Sequence, residues 1–309
     1  MVKTKEEKPL KCGMVAIVGR PNTGKSTLLN VILKEKVAIV SKIPQTTRNQ
    51  IRGIYNDERG QIIFIDTPGI HLGYDRLDRF MSQVSTGTLQ EADCVIYLVD
   101  ANRRIGEEEN FVAQQVSKVK TPVILALNKI DLKGGNIPEY IALWEKVKNK
   151  PINEIKNFML LPLSGETKVN IDKLIDLLFE YLPEGVALYP VDIVCDVPKR
   201  MVIADIIREK LFVIMKKELP HSIGVVVEKM QPRKGKTMAI SALILVERDT
   251  HKEIVIGKNG NILKTIGTQA RLELEELLES KVFLELRVKV QKNWRDNIAS
   301  LQELGYQSS

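Results

Sequence analysis

Little in this sequence points to disulfide, redox or metal-cluster chemistry. Its three cysteines, Cys12, Cys94 and Cys195, are odd in number and far apart. They offer neither a disulfide framework nor a metal-ligand spacing, and they fit a reducing compartment. The three histidines, His71, His221 and His251, form no pattern. No apolar stretch approaches the roughly 18 to 20 residues of a membrane span. The opening segment MVKTKEEKPLKCG is short and charged and lacks the apolar core of a secretory signal. Residues 1–11 are therefore expected to be a flexible tail of a cytosolic protein. Internal repeats and low-complexity tracts are also missing.

What is present suffices for two cores. The chain has 309 residues, 44% of them hydrophobic, and that length is a soft indication of about two domains. Net charge is +7. Residues 1–190 carry 26 basic and 23 acidic side chains, residues 191–309 carry 20 and 16. The second part is slightly more basic for its size, which permits an anionic partner without requiring one.

From residue 14 to about 182, apolar runs alternate with helical periodicity. MVAIV (14–18), QIIFI (61–65), CVIYLV (94–99), PVILAL (122–127) and FMLLPL (158–163) read as strands buried on both faces. STLLNVIL (26–33) and NIDKLIDLLFEYL (170–182) read as helices. Such alternation predicts an α/β domain with a mostly parallel, doubly wound sheet, over residues 12–184. LPEGVALYP (182–190) ends the pattern, and residues 185–199 are expected to form an extended linker. In residues 200–309 a long amphipathic helix (200–218), strands at 222–230 and 237–247 joined by the basic turn QPRKGK, a helix from Leu263 and a last strand (282–290) describe a smaller α+β domain.

Chemistry enters with GRPNTGKS, residues Gly19, Arg20, Pro21, Asn22, Thr23, Gly24, Lys25 and Ser26. The pattern G-x-x-x-x-G-K-S between a strand and a helix is a phosphate-binding loop. Its glycines let backbone N–H groups converge on phosphate oxygens at a helix N-terminus. Lys25 is placed to bridge the terminal phosphates and Ser26 to offer its hydroxyl to Mg²⁺. DTPGI (Asp66, Thr67, Pro68, Gly69, Ile70) follows the strand QIIFI. There Asp66 can hold a magnesium-bound water and the Gly69 amide can meet a γ-phosphate. NKID (Asn128, Lys129, Ile130, Asp131) follows PVILAL. Asp131 can accept guanine N1–H and its exocyclic amine, Asn128 can bond the Hoogsteen edge, and a buried Asp131 would reject adenine. Ser164 and Gly165 follow FMLLPL, where a backbone amide can reach guanine O6. All four segments sit at carboxyl ends of strands, where open α/β sheets bind ligands. Together they specify a guanine-nucleotide site.

A second glycine loop, Ile256-Gly257-Lys258-Asn259-Gly260, lies between helical segments and lacks the Lys-Ser/Thr end of a nucleotide loop. Alone, G-x-x-G is commonly a plain turn. Here the order helix–strand–strand–helix–loop–helix–strand resembles the type II KH arrangement. That arrangement implies close approach of a nucleic-acid backbone, with Lys258 adding charge and Ile256 and Ile262 as walls of a base groove.

Through GRPNTGKS, PQTTR (44–48), DTPG, NKID, YPVDIVCDVP (189–198), REKL, ELP, VERD, the second glycine loop and KNWRD (292–296), nearly the whole chain resembles the Era family of GTPases. Two departures are Ser164-Gly165 where Ser-Ala is usual, and Gly257-Lys258-Asn259-Gly260 where GKGG is usual. The resemblance implies a slow GTPase that binds the 3′ end of 16S ribosomal RNA and assists maturation of the 30S subunit. It implies a monomer, cytoplasmic, with peripheral association at the inner membrane. It further implies that Thr47 completes the Mg²⁺ shell and that Lys292, Trp294 and Arg295 lie near RNA; for Trp294 a core position is equally open. Ile70 stands where many GTPases place a water-orienting glutamine. Asn22 resembles the asparagine with which potassium-activated relatives hold K⁺ beside the phosphates; the alternative is that it only shapes the loop. Three rival readings remain: an ATP-dependent enzyme, opposed by NKID; an RNA scaffold with an inert nucleotide domain, opposed by Lys25, Ser26 and Asp66; and a transfer-RNA-modifying GTPase, whose cysteine-bearing tail is absent.

Overall fold

The computed structural model describes residues 10–40, 48–70, 75–215, 222–233 and 235–306. The chain divides into two units. The first comprises Met1–Ala38, Thr47–Leu72 and Met81–Asp196; the second comprises Ile39–Thr46, Gly73–Phe80 and Val197–Ser309. Thr47 and its neighbours at 41–46 lie outside the described residues, as do 216–221 and Lys234.

The first unit is built on β1 (Lys11–Val18), β2 (Ile51–Asp57), β3 (Gly60–Asp66), β4 (Cys94–Asp100), β5 (Val123–Asn128), β6 (Phe158–Pro162) and β7 (Cys195–Asp196). Their order in the sheet is β6-β5-β4-β1-β3-β2-β7. Pairs among β6, β5, β4, β1 and β3 are parallel, while β2 runs antiparallel to both neighbours. The apolar runs of β1, β3, β4 and β5 are buried throughout their centres, as expected of strands covered on both faces. β6 departs from that expectation. It is an edge strand, only Leu161 is fully buried, and Pro162 is tolerated there because it need not donate to an outer neighbour. Helices α1 (Lys25–Leu33), α2 (Arg76–Glu91), α3 (Glu107–Val116), α4 (Ile137–Lys148) and α5 (Ile171–Tyr181) complete the unit, the first turn of α2 excepted. The core between the sheet and α3 and α4 centres on Tyr97, Val112, Leu125, Tyr140 and Trp144.

β1 has β3 on one side and β4 on the other, so the strand order reverses at its carboxyl end. A crevice opens at that point in sheets of this kind, and it is where the first glycine loop sits. Residues 185–196, read from the sequence as linker, run along the β2–β3 side of the sheet. Gln61 Oε1 accepts from the amides of Leu188 and Tyr189 at 2.8 and 2.9 Å, and β7 pairs with Arg52 and Gly53.

The second unit follows the expected order: α6 (Lys199–Met215), β8 (Gly224–Arg233), β9 (Thr237–Val246), α7 (Asp249–Ile256), α8 (Asn261–Leu277) and β10 (Lys281–Val290), then α9 (Ile298–Glu303). Its sheet has the order β10-β9-β8, with β8–β9 antiparallel and β9–β10 parallel. One face packs on α6 and α8 through Ile207, Phe212, Ile244, Ile266, Ala270 and Leu274. Among the described residues no helix is long and apolar enough to cross a membrane.

Candidate nucleotide and nucleic-acid sites

The first glycine loop joins β1 to α1 in a shape only part of its sequence explains. Gly24 has φ +100°, and a Cβ there would come within 2.5 Å of Asn128 Nδ2, so strain and space both require glycine. Thr23 Oγ1 donates to the Arg20 carbonyl at 3.1 Å. Lys25 Nζ lies over the same turn, donating to the carbonyls of Arg20 at 3.0 Å and Gly19 at 3.3 Å. Ser26 Oγ donates to Asp66 Oδ2 at 2.7 Å. Burial lowers the Lys25 pKa to about 8, against the opposing pull of Asp66 and Glu109. Burial raises that of Asp66 to about 6, although Lys25, Ser26 and the Thr67 amide favour its charged form. Both charges are thus held against the preference of their surroundings, which is the condition of a site built for a charged ligand.

The DTPG segment is locked onto this loop. Thr67 Oγ1 donates to the Ile17 carbonyl at 2.9 Å, the Pro68 carbonyl accepts from Ser85 Oγ at 2.8 Å, and the Ile70 amide donates to the Gly19 carbonyl at 3.1 Å. Gly69 lies so near Pro21 that a Cβ would approach its backbone nitrogen to 2.7 Å. Ile70 is fully buried.

Asn128 knits three of the four segments together. Its Nδ2 donates to the Thr23 carbonyl at 2.8 Å, and its Oδ1 accepts from the amides of Lys129 at 2.8 Å and Gly165 at 3.0 Å. Lys129 Nζ bridges the Asn22 carbonyl (3.0 Å) and Asp100 Oδ2 (2.7 Å). Ile130 is half-buried against the apolar core. Asp131 is exposed rather than buried, with Oδ1 accepting from Ser164 Oγ at 2.5 Å. Its carboxylate is therefore open to the surface, where the pairing edge of a base could reach it.

The donor set suits magnesium. Asp66 Oδ1 is buried without a hydrogen-bond partner, next to the Ser26 hydroxyl, and both are hard oxygen ligands. Among the described residues there is no cluster of three or more His, Cys, Asp or Glu able to hold a metal. An ion here would take much of its shell from phosphate and water, as magnesium does at nucleotide sites.

A polar network behind the loop was not legible from sequence. Arg20 turns its guanidinium away from the loop, to Glu108 Oε2 at 2.8 Å and Glu109 Oε2 at 3.5 Å. Glu109 is 1% exposed, accepts from Tyr97 Oη at 2.5 Å, and has its pKa raised by burial. Glu107-Glu108-Glu109 reads as a solvated first turn of α3, yet Glu109 points inward and, with Glu108, anchors Arg20 of the glycine loop. The one available signal was Tyr97, a phenol inside a doubly buried strand that needs a partner.

The second glycine loop joins α7 to α8. Gly257 has φ +73° and ψ 174°, a region open essentially to glycine alone, and a Cβ would meet Ile262 at 2.5 Å. Lys258 and Asn259 are exposed at the tip. Beside Gly260 runs a groove of about 390 Å³ lined by Leu263, Lys264, Gly267, Arg271, Leu284 and Leu286. Its apolar wall thus comes from β10 and α8. Ile256 and Ile262, the expected walls, are half-buried, and Ile262 packs under Gly257. Trp294 is fully buried, its Nε1 donating to the Ser222 carbonyl at 2.9 Å. That corrects its placement as a base-stacking platform: the ring belongs to the core. Arg295 bonds Asp75 Oδ2 (2.5 Å) and Asp78 Oδ1 (3.0 Å), residues of the same unit, and is only 11% exposed. Its charge is already matched by carboxylates. Lys292 is exposed.

Comparison with known proteins gives three findings. The family model for a 50S ribosome-binding GTPase matches residues 14–129, and that for a KH domain matches residues 218–295. The chain is 42% identical to GTPase Era of Halothermothrix orenii over 296 residues, covering 96% of this chain and 98% of that one. It is 45% identical to GTPase Era of Geobacter metallireducens over 302 residues, covering 97% and 99%. Among solved structures it is similar to a variant of Aquifex aeolicus Era bound to GDP and AlF4⁻ (38% identity, TM-score 0.87). It is equally similar to Era in complex with MgGDPNP and nucleotides 1506–1542 of 16S ribosomal RNA (38% identity, TM-score 0.88). Each match covers 97% of this chain and 100% of the other.

Proposed function

The chain belongs to the Era family of GTPases, which hydrolyse GTP to GDP, and on that footing we propose that it is a nucleotide-controlled RNA-binding protein of small-subunit assembly. In this reading it grips the 3′ end of 16S ribosomal RNA while GTP is bound and assists maturation of the 30S subunit. The observation that carries the proposal is the pairing, in one chain, of four nucleotide-site loops with a glycine loop beside an apolar groove. The similarity to an Era–16S RNA complex over almost the full length supports it.

At the nucleotide, Lys25 would bridge the terminal phosphates and the loop amides would cradle them. Ser26 would hold Mg²⁺ directly and Asp66 through a water, and the ion would neutralise charge developing on the phosphates. Asp131 would accept the two donors on guanine's pairing edge. Asn128 holds the loops in register, and Lys129 ties the glycine loop to β4. In the second unit, Lys258 and Asn259 would meet the RNA backbone where Gly257 and Gly260 allow close approach. Bases would lie against Leu263, Leu284 and Leu286.

The test is binding of a short single-stranded RNA copying the 3′ end of 16S ribosomal RNA, at fixed salt, with a GTP analogue, with GDP and with no nucleotide. Tightest binding with the analogue is expected. Equal binding in all three states would leave two modules without a switch, and no binding would overturn the RNA reading.

Ile70, buried and alkyl, cannot orient water, and we propose that K⁺ coordinated by Asn22 supplies the missing electrostatic help. Hydrolysis should then be about tenfold faster in potassium than in sodium chloride, equivalent to ~1.4 kcal/mol of barrier. Equal rates in the two salts would remove the cation. Cytoplasmic location, a monomeric state and peripheral membrane association belong to the same proposal and rest on family resemblance.

A further inference from the structure

The sheet of the second unit has two faces, and only one is accounted for. Along β10 the side chains alternate. Val282, Leu284 and Leu286 pack toward the core, and Leu284 and Leu286 wall the groove, while Lys281, Phe283, Glu285 and Arg287 are exposed on the opposite face. The two sets are neighbours on one strand, about 3.4 Å apart along it. At one end the outer face is closed, because Leu304 and Trp294 lie against Gly224. At the other end it is open, and there Phe283 is 50% exposed.

The composition of the open end is specific. Phe283 pairs with Ala239 across the sheet, and Ala239 with Gln231, so no bulky residue fills the centre. Arg233, from the end of β8, reaches over this gap and lays its guanidinium 4.6 Å from the centre of the Phe283 ring. Around the pair, Lys229, Lys236 and Lys281 are exposed. The facing carboxylates are Glu285 and Glu228, the latter ion-paired with Arg287. Cations therefore outnumber anions. An uncovered ring with a guanidinium stacked on it, in a basic surround, matches what an unpaired base and its phosphates require.

We propose that this open face is a second RNA-contact surface. An unpaired base stacks on the Phe283–Arg233 pair, and Lys229, Lys236 and Lys281 meet the phosphates. The proposal rests on the RNA-binding reading above and extends it: RNA leaving the groove passes round the β10 edge onto the back of the same strand. A protein ligand is disfavoured by the small apolar area and the excess of one charge sign.

The experiment uses the full chain with bound GTP analogue and two labelled RNAs, the short 3′-end segment and the same segment extended by an unpaired tract. Phe283→Ser and Arg233→Glu are expected to bind the short RNA as the wild type does. They should bind the extended RNA roughly five- to tenfold more weakly. Arg233→Glu should also reduce the salt dependence for the extended RNA, and Phe283→Trp should retain its binding. Arg233 is exposed, so its variant keeps the test valid should Phe283→Ser fold poorly. Variants that bind both RNAs like the wild type, or lose both equally, overturn the second surface while leaving the groove intact as a reading. A wild-type chain that binds neither RNA overturns both.

Discussion

Replacing Asp131 by asparagine is expected to weaken GTP binding by about 10²- to 10⁴-fold. Two hydrogen bonds from guanine N1–H and its amine to one carboxylate are charge-assisted, each worth roughly 1.5–3 kcal/mol. An asparagine keeps one acceptor and turns a donor toward the guanine amine. The same change should create a site for xanthine nucleotides, whose C2 carbonyl accepts where guanine donates. Competition of GTP, ATP and xanthosine triphosphate against a fluorescent nucleotide reads both effects. Unchanged GTP affinity would show that Asp131 does not read the base. Ser164→Ala, which removes the 2.5 Å bond that steadies Asp131 and the acceptor of the Thr167 amide at 3.0 Å, should cost about tenfold or less.

Lys25→Ala should be equally severe but different in kind. Removing a cation placed for the terminal phosphates is expected to reduce kcat/KM for GTP by at least about 10³-fold, on the scale seen when a preorganised charge is lost from a reacting group. The fold should survive. Burial lowers the Lys25 pKa to about 8, so at neutral pH the folded site disfavours the charged lysine, and its loss removes no net electrostatic support. The melting temperature without nucleotide should therefore change by only a few degrees. The rise in melting temperature on adding GTP and Mg²⁺, which follows from binding to the native state, should disappear. A variant that keeps that rise would place the phosphates elsewhere.

The contrast between these residues and others shows what a sequence discloses. Lys25, Ser26, Asp66 and Asn128 were legible because each stands in a short motif next to a strand buried on both faces, where apolar runs are unmistakable. β2 was not: IRGIYND mixes polar and apolar residues because one neighbour, β7, covers it along only two residues. Glu109 was hidden because a charge in a helix's first turn looks solvated until Tyr97 and Arg20 are seen around it. Trp294 was left undecided for the converse reason. Flanked by Lys292 and Arg295 it reads as a binding cluster, yet a short turn of 3-10 helix points the ring inward and spends Arg295 on Asp75 and Asp78. The groove walls Leu284 and Leu286 follow from simple alternation on β10, but only the partner helix shows which face of the strand they serve.

The short stretch from Leu188 to Asp196 has a consequence for anyone cutting the chain. Without it, β2 would be the bare rim of the first sheet, a row of unspent amides and carbonyls of the kind that recruits strands from neighbouring molecules. The Ile54 amide donates to the Val194 carbonyl at 2.8 Å, and Cys195 and Asp196 pair with Gly53 and Arg52, so part of that rim is occupied by the chain's own backbone. A fragment stopped at residue 184, where the helical pattern ends, would carry its rim uncovered and be prone to aggregate. One stopped after Asp196 keeps its cover and is the better piece to express alone.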